Sequence, residues 1–99
     1  MNNTDVSADG LWRVSEFFKA FSDPTRLRIL YALSSEKLLD VGAIAARLNM
    51  TDSAISHQLK LLKQQRLVAS ERNGKYVLYR LDDDHIETVL DMAKKHISE

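Results

Sequence analysis

Two of the three histidines in this 99-residue chain lie in its last fifteen residues, and carboxylates flank both of them. His85 follows Asp83 by two positions, and His96 precedes Glu99 by three. Two imidazoles and two carboxylates are a ligand set that suits tetrahedral zinc. These residue types predict a zinc site built from Asp83, His85, His96 and Glu99. The sequence has no cysteine, which excludes disulfides and thiolate metal sites.

The spacing of the two histidines predicts a second subunit. Eleven residues turn an α-helix through three full turns plus about 20°, so His85 and His96 share one face. The helical rise separates them by roughly 16 Å, whereas two ligands of one zinc ion sit within about 4 Å of each other. One helix therefore cannot close the site. Two antiparallel copies about a two-fold axis bring His85 of one chain to His96 of the other, and such a homodimer has two identical sites.

These tail residues also have a simpler interpretation. Histidines on a polar helix face are usually exposed residues without a ligand, and aspartates before a helix usually cap it. Asp82 and Asp84 lie one residue from Asp83. The residues alone therefore leave open both the presence of the site and the choice of aspartate.

Charge is unevenly distributed along a chain whose formal net charge is zero. Residues 47–80 carry seven Lys or Arg against two acids, a local charge of +5, and residues 81–99 carry six acids against two lysines, a local charge of −4. Such partition predicts two surfaces with different partners, and the basic segment favours nucleic acid. The polar start and the lack of a long apolar run predict a cytoplasmic protein with no membrane partner.

Hydrophobic periodicity and capping signals predict the elements that position these residues. Helices are expected over roughly 9–21, from Pro24 after the capping residue Asp23, over about 41–48 and over about 52–65. Asn73-Gly74 predicts a tight hairpin with strands over roughly 67–72 and 76–81, and one of the aspartates 82–84 caps a last helix. The predicted fold is a dimeric winged helix-turn-helix, mainly α with a small β-hairpin. We expect a flexible N-terminal arm over 1–8 and one domain over 9–99, whose C-terminal helix serves dimerisation and metal sensing.

Each predicted helix has one apolar face, and the fourth also has a polar face of a particular kind. The stripes expected to face inward are Leu27, Leu30 and Leu33; Ile44 and Leu48; and Ile55, Leu59 and Leu62. The first helix has the stripe Leu11, Val14, Phe18 and Phe21, whose phenylalanines are expected in the core or in a subunit contact. The last helix has the stripe Ile86, Val89, Leu90, Ala93 and Ile97, which is expected to serve a helix–helix contact between subunits. Opposite the stripe of the fourth helix lie Ser53, Ser56, His57, Lys60 and Lys63. An ordinary solvated face is the simpler interpretation. Next to a three-residue turn and a hairpin that carries Arg72 and Lys75, this face predicts a DNA-reading helix.

Four segments together resemble the ArsR/SmtB family of metal-sensing repressors, in its zinc-sensing branch. They are "FSDPTRLRIL", "SAISHQLKLLKQQRLV", "RNGKYVLYRL" and the tail pattern Asp-x-His-x10-His-x2-Glu. The resemblance implies a homodimer whose metal-free form binds a palindromic operator. It further implies that zinc at the dimer interface lowers DNA affinity and derepresses genes of zinc efflux or homeostasis. The implied ligands are Asp83, His85, His96 and Glu99, and zinc-bound His96 would donate a hydrogen bond to the backbone carbonyl of His57, an allosteric contact.

Departures from the family pattern reduce the number of metal ions that are expected as inducers. Many relatives carry two cysteines where this chain has Asp40-Val41-Gly42, so thiolate sensing of arsenic, cadmium or lead is not expected. Glu99 stands where zinc-sensing relatives usually have a histidine. Zn2+ is the expected inducer, with Co2+ as a second candidate. The alternatives are a winged-helix regulator that responds to no metal or to Co or Ni, and a winged helix that binds protein. We expect no enzyme, because the sequence shows no nucleophile–base pair or phosphate loop.

Overall fold

The computed structural model describes residues 6–99, which form five α-helices and one antiparallel hairpin. The elements are α1 (Ala8–Ala20), α2 (Pro24–Glu36), α3 (Val41–Leu48), α4 (Asp52–Gln64), β1 (Val68–Asn73), β2 (Tyr76–Leu81) and α5 (Asp84–Ser98). This order confirms the predicted winged helix-turn-helix. Within residues 6–99, no helix is both long and apolar enough to cross a membrane. Residues 1–5 of the expected N-terminal arm lie outside the described residues, and α1 begins one residue before the predicted boundary.

Every helix begins next to a side chain that accepts a hydrogen bond from the first turn. These capping residues are Ser7, Asp23, Asp40, Thr51 and Asp83. Each such cap satisfies a backbone N–H that has no partner within the helix, and it contributes about 1 kcal/mol. The starts of the helices are therefore encoded locally, and the structure selects Asp83 from the three consecutive aspartates.

The turn between α3 and α4 is three residues long, as predicted. Asn49 ends α3 in the left-handed conformation, with φ 56° and ψ 49°. Asparagine tolerates this conformation better than most residues, because its short polar side chain bonds locally. Two residues later, Thr51 caps α4 through a 3.1 Å hydrogen bond from the Ala54 backbone N–H. The Asn49 conformation and the Thr51 cap together set the direction of α4 relative to α3.

The core forms a platform beneath α4 and the hairpin. Its largest fully buried side chains are Ile29, Leu30, Leu33, Ile44, Ile55, Leu59, Leu62, Leu67, Val68 and Leu90. The buried stripe predicted for α4 is confirmed, and Leu27 of α2 is only half-buried. Among residues 6–99 no polar side chain belongs to this core. An apolar, close-packed platform of this kind holds the opposite face of α4 in a fixed orientation.

The hairpin is attached to the body of the domain by backbone hydrogen bonds. Asn73 pairs with Tyr76 across the turn, where Gly74 adopts a φ of +64° that suits glycine. The N–H of Leu39 donates to the Tyr79 carbonyl at 3.1 Å, and the Tyr79 N–H donates to the Leu39 carbonyl at 2.8 Å. A two-stranded hairpin alone is marginally stable. This bridge to the α2–α3 connection therefore helps to hold the hairpin in place.

Two of the predicted apolar stripes are largely exposed. On α1, Leu11, Val14 and Phe18 are 59%, 46% and 57% exposed, although Ala20 is fully buried. On α5, Ile86 and Leu90 are buried, but every residue from Asp91 to Glu99 is exposed, including Ala93 and Ile97. Of the two locations predicted for Phe18, core or subunit contact, its exposure excludes the core of its own chain. The predicted contact between two α5 helices stays a prediction. The periodicity of both stripes marks surfaces that extend beyond that core.

Candidate metal site and DNA interface

Asp83 and His85 form a preassembled pair at the start of α5. Asp83 Oδ1 accepts a hydrogen bond from the His85 backbone N–H at 2.8 Å and lies 3.3 Å from His85 Nδ1. The His85 side chain is 91% exposed, so its ring is open to a ligand. Desolvation raises the pKa of the Asp83 carboxyl, but hydrogen bonds from the His85 side chain and backbone outweigh it and lower the pKa below its ordinary value. The carboxyl is thus ionised, as a metal ligand must be.

His96 and Glu99 occupy the opposite end of α5. Both are exposed, and the Glu99 backbone N–H lies 3.5 Å from the His96 carbonyl that accepts from it. Because α5 is continuous from Asp84 to Ser98, the helical rise separates His85 from His96 by about 16 Å. Among residues 6–99 of the single chain, no group of three His, Asp or Glu side chains is placed to hold a metal ion. The four residues therefore lie in two pairs, Asp83 with His85 and His96 with Glu99, at the two ends of one helix.

The polar face of α4 is open along its whole length. The predicted residues Ser53, Ser56, His57, Lys60 and Lys63 are all exposed. The Lys63 amine donates a 2.6 Å hydrogen bond to Ser70 Oγ on β1. Lys63 therefore connects the C-terminal end of α4 to the hairpin, a contact that the sequence does not reveal. The two serines and His57 lie on the first turns, where small polar side chains can approach base edges.

The hairpin tip presents a basic and aromatic surface. Arg72 and Lys75 are exposed, as predicted. Tyr76 is 55% exposed, and the Lys75 amine lies 5.6 Å from the centre of its ring. A cation at this distance is attracted by the face of the ring. The sequence interpretation missed Tyr76, although an aromatic residue directly after a basic turn is a visible signal.

Known proteins match this chain over the same elements. A family model described as "Bacterial regulatory protein, arsR family" matches residues 23–70, from α2 into β1. A transcriptional repressor SmtB homolog from Synechocystis sp. is 39% identical over 94 residues, which are 95% of this chain and 70% of that protein. A cadmium resistance transcriptional regulatory protein CadC homolog from Staphylococcus aureus is 36% identical over 92 residues, 93% of this chain and 76% of that protein.

Similarity to a solved structure extends over the whole chain. The homodimeric winged helix-turn-helix DNA-binding domain of a possible ArsR-family transcriptional regulator from Mycobacterium bovis superposes with a TM-score of 0.86. It is 26% identical, and the match covers 100% of this chain and 92% of that one. This similarity includes α1 and α5, which lie outside the family-model match.

Proposed function

The chain belongs to the arsR family of bacterial regulatory proteins, and from this premise we propose that it is a zinc-responsive transcriptional repressor. In this role, the metal-free homodimer binds a palindromic operator, and zinc lowers its DNA affinity. The family and the matched relatives are DNA-binding regulators rather than enzymes. The observation that carries the proposal is the presence of one imidazole and one carboxylate at each end of α5. We interpret each of these two pairs as one half of a zinc site, called a half-site below.

An antiparallel dimer of α5 completes both half-sites. Asp83 and His85 of one subunit would bind an ion together with the partner's His96 and Glu99. Zinc favours a four-ligand tetrahedral shell of this kind. Two features of the chain fit the role, namely the ionised Asp83 carboxyl and its position beside the exposed His85 ring. The exposed Met92 and Ile97, at 62% and 81%, supply apolar surface for the same helix–helix contact.

Zinc at this position would control the spacing of the DNA-reading helices. A dimer that binds both halves of a palindromic operator must place its two α4 helices about 34 Å apart, which is one turn of DNA. An ion that fixes the angle between subunits alters that spacing, so a small change at the interface becomes a mismatch with the grooves. The coupling is reciprocal, since operator DNA must weaken zinc binding by the same factor. A hydrogen bond from zinc-bound His96 to the His57 carbonyl would add a direct contact between sensor and reading helix.

The decisive experiment measures operator binding at increasing zinc concentration. The probe is a labelled DNA duplex recovered by selection from random sequence with the metal-free protein, and the readout is fluorescence anisotropy. We expect one zinc ion per chain and a loss of DNA affinity on the order of 5- to 150-fold at saturation. Parallel titrations with Co2+ and Ni2+ test the other inducers. Equal DNA affinity with and without zinc would contradict the proposal.

Replacing Lys60 or Lys75 with alanine should weaken binding to all DNA sequences alike. Each lysine is placed to neutralise a phosphate, so its loss should lower the slope of log K against log salt by about 0.9. Binding measured between low and moderate salt gives both quantities. Lys95→Ala is the matched control, because it removes the same charge from α5, away from the α4 face.

Substitutions at the start of α4 should have a different signature. Ser56→Ala or His57→Ala should alter the preferred operator sequence and leave the salt slope unchanged, since these side chains are placed near base edges. Unchanged slopes in both lysine variants would refute the assignment of α4 and the hairpin tip to phosphate contact.

A further inference from the structure

The first half of α5 is held to α2 by side-chain contacts that join distant parts of the sequence. The Lys37 amine and the Glu87 carboxylate are 2.7 Å apart, and Ser34 Oγ donates to the same Glu87 oxygen at 3.3 Å. One turn further along α5, the Tyr31 hydroxyl donates to the Leu90 carbonyl at 2.8 Å. These contacts lie on the same helix as both proposed half-sites. Any change in the orientation of α5 must either carry α2's C-terminal end with it or break them.

The backbone at Lys37 adopts a conformation that is rare for a residue with a side chain. Its φ of 74° and ψ of −49° are those of a strained γ-turn, and the Leu38 N–H donates to the Glu36 carbonyl at 2.9 Å across it. Strained residues persist only where their surroundings fix them, and they concentrate at functional and switch positions. The ion pair with Glu87 connects the side chain at this turn to α5.

The same turn leads directly into the attachment of the hairpin. Leu39 follows Lys37 by two residues and forms the backbone bridge with Tyr79 of β2. Two residues of chain span at most about 7 Å. A continuous series of contacts therefore runs from Glu87 through Lys37 to Leu39, and from Leu39 to the strand that follows the basic tip.

We infer that Glu87 is a positioning residue that couples the metal-sensing helix to the DNA-binding hairpin through Lys37 and the Leu39–Tyr79 bridge. The inference rests on the proposed function, because it concerns how zinc on α5 alters DNA affinity. It differs from the contact between His96 and His57, since it acts on the hairpin rather than on α4. Lys37 and Glu87 are part of a partly exposed ion pair, with 66% and 40% exposed side chains. Such pairs contribute little to folding, so coupling can be tested without loss of the fold.

The test compares the zinc-induced loss of operator affinity in the unaltered dimer and in its variants. For Glu87→Gln and Lys37→Met we expect the ratio of DNA affinities without and with zinc to fall by about three- to fivefold, which is the most that an exposed ion pair can supply. In the double variant this affinity ratio should fall no further than in either single variant, because both substitutions remove the same contact. Zinc stoichiometry and metal-free DNA affinity should stay those of the unaltered protein.

Two controls separate coupling from a general effect of charge or stability. Asp91→Asn and Lys95→Met remove the same charges from α5, but their ion pair, at 3.0 Å, lies within one helix. Both should retain the full zinc response. A second readout is the amide NMR shift of Gly74, which zinc should perturb in the unaltered protein and not in Glu87→Gln.

The outcomes distinguish the inference from the function on which it rests. A full zinc response in Glu87→Gln and Lys37→Met, with an unaltered Gly74 perturbation, would overturn the inference while leaving the repressor proposal intact. Absence of any zinc response in the unaltered protein would instead overturn the proposed function. A weakened response in Asp91→Asn and Lys95→Met as well would also overturn the inference about Glu87, by showing that any charge on α5 has the same effect.

Discussion

Replacing His96 with alanine should leave metal-free operator binding unchanged and abolish its release by zinc. His96 is exposed and lies outside the core, so its loss removes no packing that the DNA-binding surface needs. In the proposed dimer, both sites lose one of their two imidazoles. Anisotropy titrations should show a zinc-induced affinity change of about 5- to 150-fold in the unaltered protein and no change in His96→Ala.

Ser98→Ala is the matched control for this prediction. Ser98 is an exposed residue in the same last turn, and its hydroxyl donates to the Lys94 carbonyl of its own helix at 2.8 Å. This variant should respond to zinc as the unaltered protein does. If zinc still released His96→Ala from DNA, the assignment of the site to the two ends of α5 would be wrong.

Introducing a carboxylate at Phe18 should convert the protein to monomers and lower operator affinity by at least about 100-fold. Phe18 lies with Leu11 and Val14 on the exposed apolar face of α1, which we propose is covered by the second subunit. Burying an unpaired charge there is strongly unfavourable. A monomer also loses the gain in DNA affinity that comes from binding both halves of the operator at once, which commonly reaches 100-fold or more. Sedimentation and operator titration of Phe18→Asp measure the two effects.

Phe18→Leu provides the comparison at the same position. It keeps an apolar side chain and should remain dimeric, with operator affinity close to that of the unaltered protein. Circular dichroism should show the same helix content in both variants, because Phe18 is not part of the fully buried core. A dimeric Phe18→Asp that binds operator normally would place the subunit contact elsewhere.

The elements of this fold were predictable because the signals for them are local. Capping residues fix the helix starts, Asn49 and Thr51 delimit the turn of the helix-turn-helix, and Asn73-Gly74 specifies the hairpin. The exposed polar stripe of α4 follows from the same 3.6-residue periodicity that identifies its buried stripe. For the candidate site, residue types and helical geometry suffice to show that one chain cannot complete it.

Contacts between distant segments were not predictable from those signals. The Lys37–Glu87 pair joins residues fifty positions apart, and nothing near either residue indicates the other. Periodicity likewise identified Ala93 and Ile97 as apolar, but it does not say what covers them, and both are exposed in the chain described over 6–99. The choice of the capping residue among three adjacent aspartates required the backbone conformation, because their side chains are chemically identical.

The outer half of α5 has a consequence for when a cell could use this regulator. From Asp91 to Glu99 every residue is exposed, and an isolated helical segment of about nine residues is marginal in water. In the proposed dimer, association of two subunits covers part of that segment and completes the two zinc sites. Newly made chains would thus respond to zinc only after their concentration exceeds the dissociation constant of the dimer. The amount of protein therefore sets a threshold below which zinc has no effect on transcription.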